Sequence, residues 1–264
     1  MQHSTLYTLV FALLVCLVFS VLVSTTAVAL RARQERNAQL DIQRSVLRVA
    51  DVVDDVRGLS ADAVSAFFGP ENEIRLRLID LDTGEYAENE SALLQEFEAK
   101  QFVADPSLRP LLEDPDMSRE APANAAKVLR VPKYALIYQV IDDGAVKRIL
   151  LPMRGKGLWS TLKALLAIER DGRTIDGITF YEHAETPGLG GEIDNPLWQA
   201  KWEGKLAYNE QGEPAIEVVK GEGTGEHEVD GLSGATLTSR GVSNMVQFWL
   251  GENGYGPYLA AMGR

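Results

Sequence analysis

Residues 134–153 read YALIYQVIDDGAVKRILLPM, and this stretch gives the clearest indication of the fold class. Two runs of aliphatic, aromatic and β-branched residues flank Asp142-Asp143-Gly144, which is typical of a tight turn between two strands. Two further runs surround Asp171-Gly172 in residues 161–185, and another pair surrounds Gln211-Gly212. Because consecutive strands joined by tight turns pair antiparallel, the sequence predicts a mainly antiparallel sheet.

A helix is predicted after these strands, from Thr238 to Leu250, with Gly251 as its end. Its apolar residues recur at helical spacing: Val242, Met245, Val246, Trp249 and Leu250. Strands followed by such a helix predict an α+β domain over residues 131–264, in which helices flank the sheet.

The N-terminal segment contains no charged residue between Thr5 and Leu30. A helix of this length would extend roughly 39 Å, enough to cross a hydrocarbon core of about 30 Å. The sequence therefore predicts a single transmembrane anchor at residues 1–34. The alternative is a cleaved signal peptide, suggested by Ala27-Val28-Ala29, but no Lys or Arg precedes the apolar run, which is also longer than a typical signal core.

For residues 35–130 the sequence predicts a juxtamembrane helix followed by an acidic peripheral lobe. The first part is charged and helix-compatible, and the second contains five prolines and short helical stretches such as ESALLQEFEAKQF, residues 90–102.

The charge and the cysteine content exclude several kinds of site. A net charge of −12 and a pI near 4.8 would repel a phosphate backbone, so nucleic acid is not an expected partner. The one cysteine, Cys16, lies in the apolar span, so this chain alone cannot form a disulfide framework, a thiolate metal site or an iron-sulfur site.

The stretch DGLSGATLTSRGV, residues 230–242, places four hydroxyl side chains before or at the start of the last predicted helix: Ser233, Thr236, Thr238 and Ser239. One interpretation is a helix cap, in which Thr236, Thr238 or Ser239 accepts from a backbone N–H and contributes about 1 kcal/mol. The other is an anion site, because the first N–H groups of a helix and its dipole favour a phosphate, and Gly234 permits close approach. The spacing alone leaves both open.

Two other stretches could carry chemistry. FYEHAETPGLGGEIDNPLW, residues 180–198, predicts a ligand-binding loop or an ordinary solvated loop; His183 and Glu185 would be the start of a metal site only if further ligands converged. PMRGKGLWSTL, residues 152–162, could cradle an anion or stack an aromatic ring, or it could form a plain turn with Trp159 in the core. No nucleotide-binding Gly-Lys-Ser/Thr loop, nucleophile elbow or zinc spacing occurs.

Together and in this order, these stretches resemble the C subunit of the bacterial sodium-translocating NADH:quinone oxidoreductases. More broadly, they resemble the FMN-binding domain shared with the G subunit of Rnf-type complexes. Residues 230–236 look like the family's flavinylation motif: Asp, two variable residues, Ser or Thr, then Gly-Ala-Thr. The resemblance covers the anchor and the chain from about Lys133 onward, and the acidic middle is only loosely similar.

The resemblance implies that Thr236 carries FMN through a phosphoester, attached by a flavin transferase that recognises Asp230. Glu185, Thr186 and Leu189 would line the isoalloxazine, with Trp159 as a neighbour. Ser233, Thr238 and Ser239 would cap the helix and bind phosphate oxygens. The cofactor contacts implied in full are Glu185, Thr186, Leu189, Trp159, Ser233, Gly234, Ala235 and Thr238. The acidic surroundings would lower the flavin potential, an effect that Lys201, Lys205 or Arg240 could offset.

The function implied is electron transfer by covalent FMN within a membrane complex that oxidises NADH, reduces ubiquinone and exports Na⁺. Its partners would be the other subunits of the complex, the flavin transferase and membrane lipid. One alternative is an Rnf-type subunit. Another is a non-redox assembly subunit, suggested because no acid/base or nucleophile constellation occurs in the sequence.

The resemblance also implies a single-pass protein of the bacterial inner membrane with a periplasmic soluble domain. Arg31, Arg33 and Arg36 follow the span, and by the positive-inside rule they would place that domain in the cytoplasm. The two lines of reasoning conflict, and we follow the resemblance because the flavin transferase of this family acts outside the cytoplasm.

Overall fold

A computed structural model describes residues 4–53, 55–69, 71–100 and 105–262. The last two residues of the predicted helical stretch, Gln101 and Phe102, lie outside these ranges. The helices are α1 (Thr5–Ala50), α2 (Ala61–Ser65), α3 (Glu90–Ala99), α4 (Arg109–Glu113), α5 (Pro196–Gln199), α6 (Thr236–Leu250) and α7 (Gly256–Met262), with 3-10 turns at Gly190–Asp194 and Ala200–Trp202. The strands are β1 (Ile74–Asp80), β2 (Ser118–Glu120), β3 (Arg130–Pro132), β4 (Tyr134–Asp142), β5 (Ala145–Lys156), β6 (Thr161–Glu169), β7 (Ile175–Glu182), β8 (Glu217–Val218) and β9 (Glu228–Val229).

The chain divides into two compact units, Met1–Asp41 and Ile42–Arg264. The first unit consists mainly of α1, whose apolar side chains are exposed, and an 18-residue window of this helix reaches a mean hydropathy of 2.8. By length and composition the helix can cross a membrane, as the predicted anchor requires. The predicted juxtamembrane helix is the continuation of the same 46-residue helix.

A five-stranded sheet in the order β1-β4-β5-β6-β7 forms the centre of the second unit, and all neighbouring strands are antiparallel. The predicted turn at Asp143-Gly144 joins β4 to β5, and the predicted turn at Asp171-Gly172 joins β6 to β7. The Asp171 carboxylate accepts from the backbone N–H groups of Arg173 and Thr174, which stabilises the second turn. The predicted α+β class with a mainly antiparallel sheet is confirmed.

The edge strand β1 was not predicted. It comes from the region assigned to the acidic peripheral lobe, yet it pairs with β4 along its whole length, from Ile74↔Val140 to Asp80↔Tyr134. Its sequence IRLRLID alternates apolar and basic residues at the start, which is a strand signal. The domain boundary at residue 130 stays a prediction, although the sheet includes a strand from each side of it.

The strand pair predicted around Gln211-Gly212 is reduced to an isolated bridge between Tyr208 and Pro214. The turn itself forms, because the Asn209 side chain accepts from the N–H groups of Gln211 and Glu213. Ala215 still donates to the Ala207 carbonyl, but the Ala207 N–H donates to the Arg173 carbonyl instead of to the facing segment, so the pairing does not extend further.

Helix α6 packs its apolar face against β5, and this contact places its first turn beside the β5–β6 turn. Gly155 leaves room for Met245, and the Trp249 indole N–H donates to the Arg154 carbonyl at 2.7 Å. Val242 and Val246 on the same face are fully buried. This packing holds the start of α6 next to residues 157–160 of the stretch 152–162. Residues of the stretch 180–198 also contact this turn.

Candidate functional site

The motif at residues 230–236 ends where α6 begins. The helix starts at Thr236, two residues before the predicted start at Thr238. The residue before it, Ala235, is buried and its N–H donates to the Leu232 carbonyl. Gly234 has a φ of +72°, a backbone conformation in which a residue with a side chain would be strained. A Cβ at this position would also lie 3.1 Å from the Leu189 side chain.

The four hydroxyls of the motif have different environments. Thr238 is fully buried and its hydroxyl donates to Glu185 at 2.6 Å, while Ser239 accepts from the Leu232 N–H. Ser233 and Thr236 are exposed, and neither hydroxyl has a hydrogen-bond partner among the described residues. Ser233 and Thr236 are therefore the two exposed hydroxyls of the motif.

The capping prediction for these hydroxyls is wrong. Among the described residues no side chain caps α6 by a hydrogen bond, so none of Ser233, Thr236, Thr238 and Ser239 serves as the predicted cap. Thr238 donates its hydroxyl proton to Glu185, whereas Ser239 accepts from the Leu232 N–H and also lines a groove beside α6, so the predicted contacts of these two hydroxyls with phosphate oxygens stay predictions. The signal that sequence reasoning lacked is the distant partner, since 53 residues separate Thr238 from Glu185.

Glu185 is the central residue of the site, and only 4% of its surface is exposed. Its carboxylate accepts from the consecutive backbone N–H groups of Leu158, Trp159 and Ser160, at 3.3, 3.0 and 3.4 Å. The predicted anion cradle in PMRGKGLWSTL thus exists, and it holds a carboxylate of the same chain. With the bond from Thr238, one side chain connects the β5–β6 turn, the loop after β7 and the first turn of α6.

The hydrogen bonds to Glu185 keep it ionised. Burial by itself would raise the pKa of this carboxyl, but the bonds from the Thr238 hydroxyl and from the three N–H groups outweigh burial and lower the pKa below its usual value. The same carboxylate excludes a side chain at Gly190, because a Cβ there would lie 2.5 Å from the Thr238 hydroxyl oxygen and 3.0 Å from a Glu185 oxygen.

The other predicted cofactor contacts lie at the surface around this buried centre. Thr186 is exposed, and its carbonyl accepts from the N–H groups of Leu189 and Gly191, which closes the loop. Trp159 is 66% exposed and Leu189 is 45% exposed, so the interpretation of Trp159 as a core residue is wrong. Leu237, next to Thr236, is 55% exposed and was not predicted. Large exposed apolar side chains from three segments therefore border the site.

Thr236 also lines a groove of about 800 Å³. The motif forms one end of it, and residues four or three apart on α6 form a polar wall: Thr236, Ser239, Arg240, Ser243, Asn244 and Gln247. Lys220 and Glu217 line the facing wall. A second hollow of about 590 Å³, between the turns at 171–173 and 209–212 and helix α7, contains no residue of the motif.

Asp230, the first residue of the motif, is engaged within the chain. One carboxylate oxygen bonds the Lys201 ammonium and the other accepts from the Gly223 N–H at 2.9 Å. The bond from Lys201 and then that from Gly223 lower the pKa of Asp230 below its usual value. The Trp198 indole N–H donates to the Asp230 carbonyl, so the motif is fixed from both its side chain and its backbone.

His183 holds the loop after β7 in place. Its Nε2 bonds Asp194 at 2.7 Å and its Nδ1 accepts from the Glu185 N–H at 3.1 Å, so both ring nitrogens are used in holding the loop. Within the described ranges no group of three or more His, Cys, Asp or Glu side chains could hold a metal ion.

Comparisons with known proteins agree on the nature of this region. The family model described as an FMN-binding domain matches residues 157–251. The C subunit of the Na⁺-translocating NADH-quinone reductase from Pseudomonas aeruginosa is 42% identical over 98% of this chain and 96% of its own length. The corresponding subunit from Yersinia pestis is 43% identical over 96% of this chain and 91% of its own.

Solved structures agree as well. The crystal structure of Shewanella oneidensis NqrC matches with a TM-score of 0.72 at 32% identity, covering 87% of this chain and 98% of that one. The C subunit of the same kind of reductase from Parabacteroides distasonis matches with a TM-score of 0.62 at 26% identity, covering 87% and 96%.

Proposed function

Since this chain belongs to the family of C subunits of the Na⁺-translocating NADH-quinone reductases, we propose that it carries FMN in a phosphoester with Thr236. It is a membrane-anchored flavoprotein that serves as an electron-transfer subunit of this oxidoreductase complex, with the other subunits as partners. The alternatives of an Rnf-type subunit and of a non-redox assembly subunit find no support in these relatives.

The environment of Thr236 is the main support for the proposed covalent linkage. Its hydroxyl is exposed, has no partner in the described part of the chain and stands at the first position of a 15-residue helix beside an open groove. The unpaired N–H groups of that helix and its dipole stabilise a phosphate at this place. The neighbouring residues Thr238 and Ser239 are buried, and their hydroxyls form hydrogen bonds with Glu185 and with the Leu232 N–H.

The isoalloxazine ring would lie on the exposed apolar side chains of Leu189 and Trp159, beside Thr186. Glu185 then acts from behind this surface: it fixes the two loops that present these side chains and leaves a negative charge beneath them. Ser233, Gly234 and Ala235 would shape the approach to Thr236. The flavin supplies the redox chemistry, and this chain holds it, orients it and sets the surrounding charge.

We propose that a flavin transferase, which recognises the motif beginning at Asp230, attaches the FMN. The test is to purify the full-length chain from hosts with and without such a transferase. Only the chain from the first host should gain the mass of FMN less one water and fluoresce on a denaturing gel under ultraviolet light. An unmodified chain from the host that contains an active transferase would contradict the proposed linkage.

We propose that the chain resides in the bacterial inner membrane, in contact with lipid along α1, with its soluble domain in the periplasm. A reporter that fluoresces only in the cytoplasm, fused to the C-terminus, should leave cells dark, whereas a reporter active in the periplasm should give signal. The opposite pattern would mean that Arg31, Arg33 and Arg36 determine the orientation.

A further inference from the structure

Two cations line the groove beside Thr236 and have no partner in the described part of the chain: Arg240 on α6 and Lys220 on the facing wall. Both are exposed. We propose that these two side chains bind the non-bridging oxygens of the phosphate carried by Thr236. This assignment rests on the proposed function and adds to it the residues that hold the phosphate.

Helix geometry brings Arg240 to Thr236. Residues four apart on an α-helix lie on the same face with about 5–6 Å between their Cβ atoms. Helical side chains also lean toward the N-terminus, which directs a long side chain at the second turn back over the first. Arg240 can therefore reach a group esterified to Thr236, and its planar guanidinium can donate two N–H groups to two phosphate oxygens.

Lys220 approaches from the opposite wall. It follows β8 by two residues, and the groove between β8 and α6 includes Lys220, Thr236 and Arg240 among its lining residues. A phosphate on Thr236 would thus have a cation on each side. Lysine binds phosphate as a point charge on a flexible stem, so it needs no fixed geometry to contribute.

The other cations near the site are already engaged. Lys201 bonds the Asp230 carboxylate, Lys205 donates to the Gly225 carbonyl and Lys156 donates to the Trp159 carbonyl. Of the three cations named from the sequence as able to offset the acidic surroundings, Arg240 is the one left for the cofactor.

The local charge also favours an anion. The chain carries a net charge of −12, yet the carboxylates that line this groove are Glu217 and Asp230, and Lys201 neutralises the second. Lys220 and Arg240 therefore give the groove a positive excess. A positive groove on an acidic protein, at the exposed threonine of the motif, matches the negative charge of a phosphodiester.

The two sides of Thr236 would then divide the nucleotide. The phosphate faces the polar groove with Lys220 and Arg240, while the ring lies on the apolar side with Leu189 and Trp159. The phosphate would be held independently of the ring, which predicts that the two parts respond to different substitutions.

The test uses the full-length protein purified in detergent from a host with the transferase. Arg240→Ala, Lys220→Ala and the double variant are compared with Arg240→Lys and with Arg170→Ala, an exposed arginine on the β6–β7 turn away from the groove. Intact mass identifies the modified fraction, and phosphorus NMR of that fraction reports the environment of the phosphodiester.

We expect the phosphorus resonance to shift in Arg240→Ala, to shift further in the double variant, to shift less in Arg240→Lys and to stay in place in Arg170→Ala. High salt should move the native resonance toward that of the double variant. A modified double variant whose resonance superimposes on the native one would overturn this assignment and leave the linkage intact. A native protein without the FMN mass would overturn both.

Discussion

Replacing Thr236 with alanine should abolish the covalent flavin. The variant should lack the FMN mass increment and should not fluoresce on a denaturing gel, because a methyl group offers no oxygen for a phosphoester. The fold should persist: Thr236 is exposed and no described residue bonds its hydroxyl, so the free energy of unfolding should change by no more than about 0.5 kcal/mol. The measurements are intact mass, in-gel fluorescence and a urea unfolding curve.

Two control variants show whether the loss is specific. Thr236→Ser keeps a hydroxyl at the same position and should retain at least part of the modification. Thr238→Ser keeps the hydroxyl that donates to Glu185 and should be modified as in the native chain. If Thr236→Ala still carries FMN on a denaturing gel, another side chain is the attachment site, and exposed Ser233 would be the next candidate.

The sheet was largely predictable because its signals are local. The turn residues at 142–144 and 171–172 and the apolar runs beside them determine the pairing of β4 with β5 and of β6 with β7. The alternation at the start of β1 was a signal of the same kind and was overlooked within an acidic region. The short pairing at Tyr208 and Pro214, by contrast, reflects a distant competitor, because the Ala207 N–H donates to the Arg173 carbonyl instead of to the facing segment.

The site was only partly predictable because its contacts are long-range. The sequence indicated that residues 157–160 could cradle an anion, but it could not indicate that Glu185, more than twenty positions later, fills the cradle. It indicated a hydroxyl-rich helix start, but not that Thr238 is turned inward and Thr236 outward. Side-chain partners so far apart in the chain leave no periodicity, and only the fold brings them together.

Glu185→Ala should have the second large effect, on stability. The substitution leaves the buried Thr238 hydroxyl and the N–H groups of residues 158–160 without their acceptor. Hydrogen bonds to a charged group contribute about 1.5–3 kcal/mol each in buried sites, and buried donors without partners add a penalty. Part of this is recovered by local rearrangement or water, so we expect a loss of about 3 kcal/mol in the free energy of unfolding, measured in urea.

Glu185→Gln separates charge from shape. It keeps the size of the side chain but removes the negative charge, so it should lose less stability than Glu185→Ala. Combining it with Thr238→Val in a double-mutant cycle should give a coupling of about 1 kcal/mol or more, because the two side chains share a 2.6 Å hydrogen bond. Glu210→Ala, at an exposed glutamate, should leave the unfolding curve unchanged.

The contribution of Glu185 to the free energy of unfolding should depend on pH. The pKa of Glu185 is lower in the folded protein than in the unfolded chain, where it is about 4.3. Its stabilisation is therefore fully present above the unfolded value and is lost as the pH falls through the lower, folded value. The difference in stability between the native chain and Glu185→Gln should be constant near neutral pH and shrink on acidification below about pH 4.3. A difference that is absent at pH 7, or that does not change in acid, would mean that the ionised carboxylate does not hold the three segments of the site together.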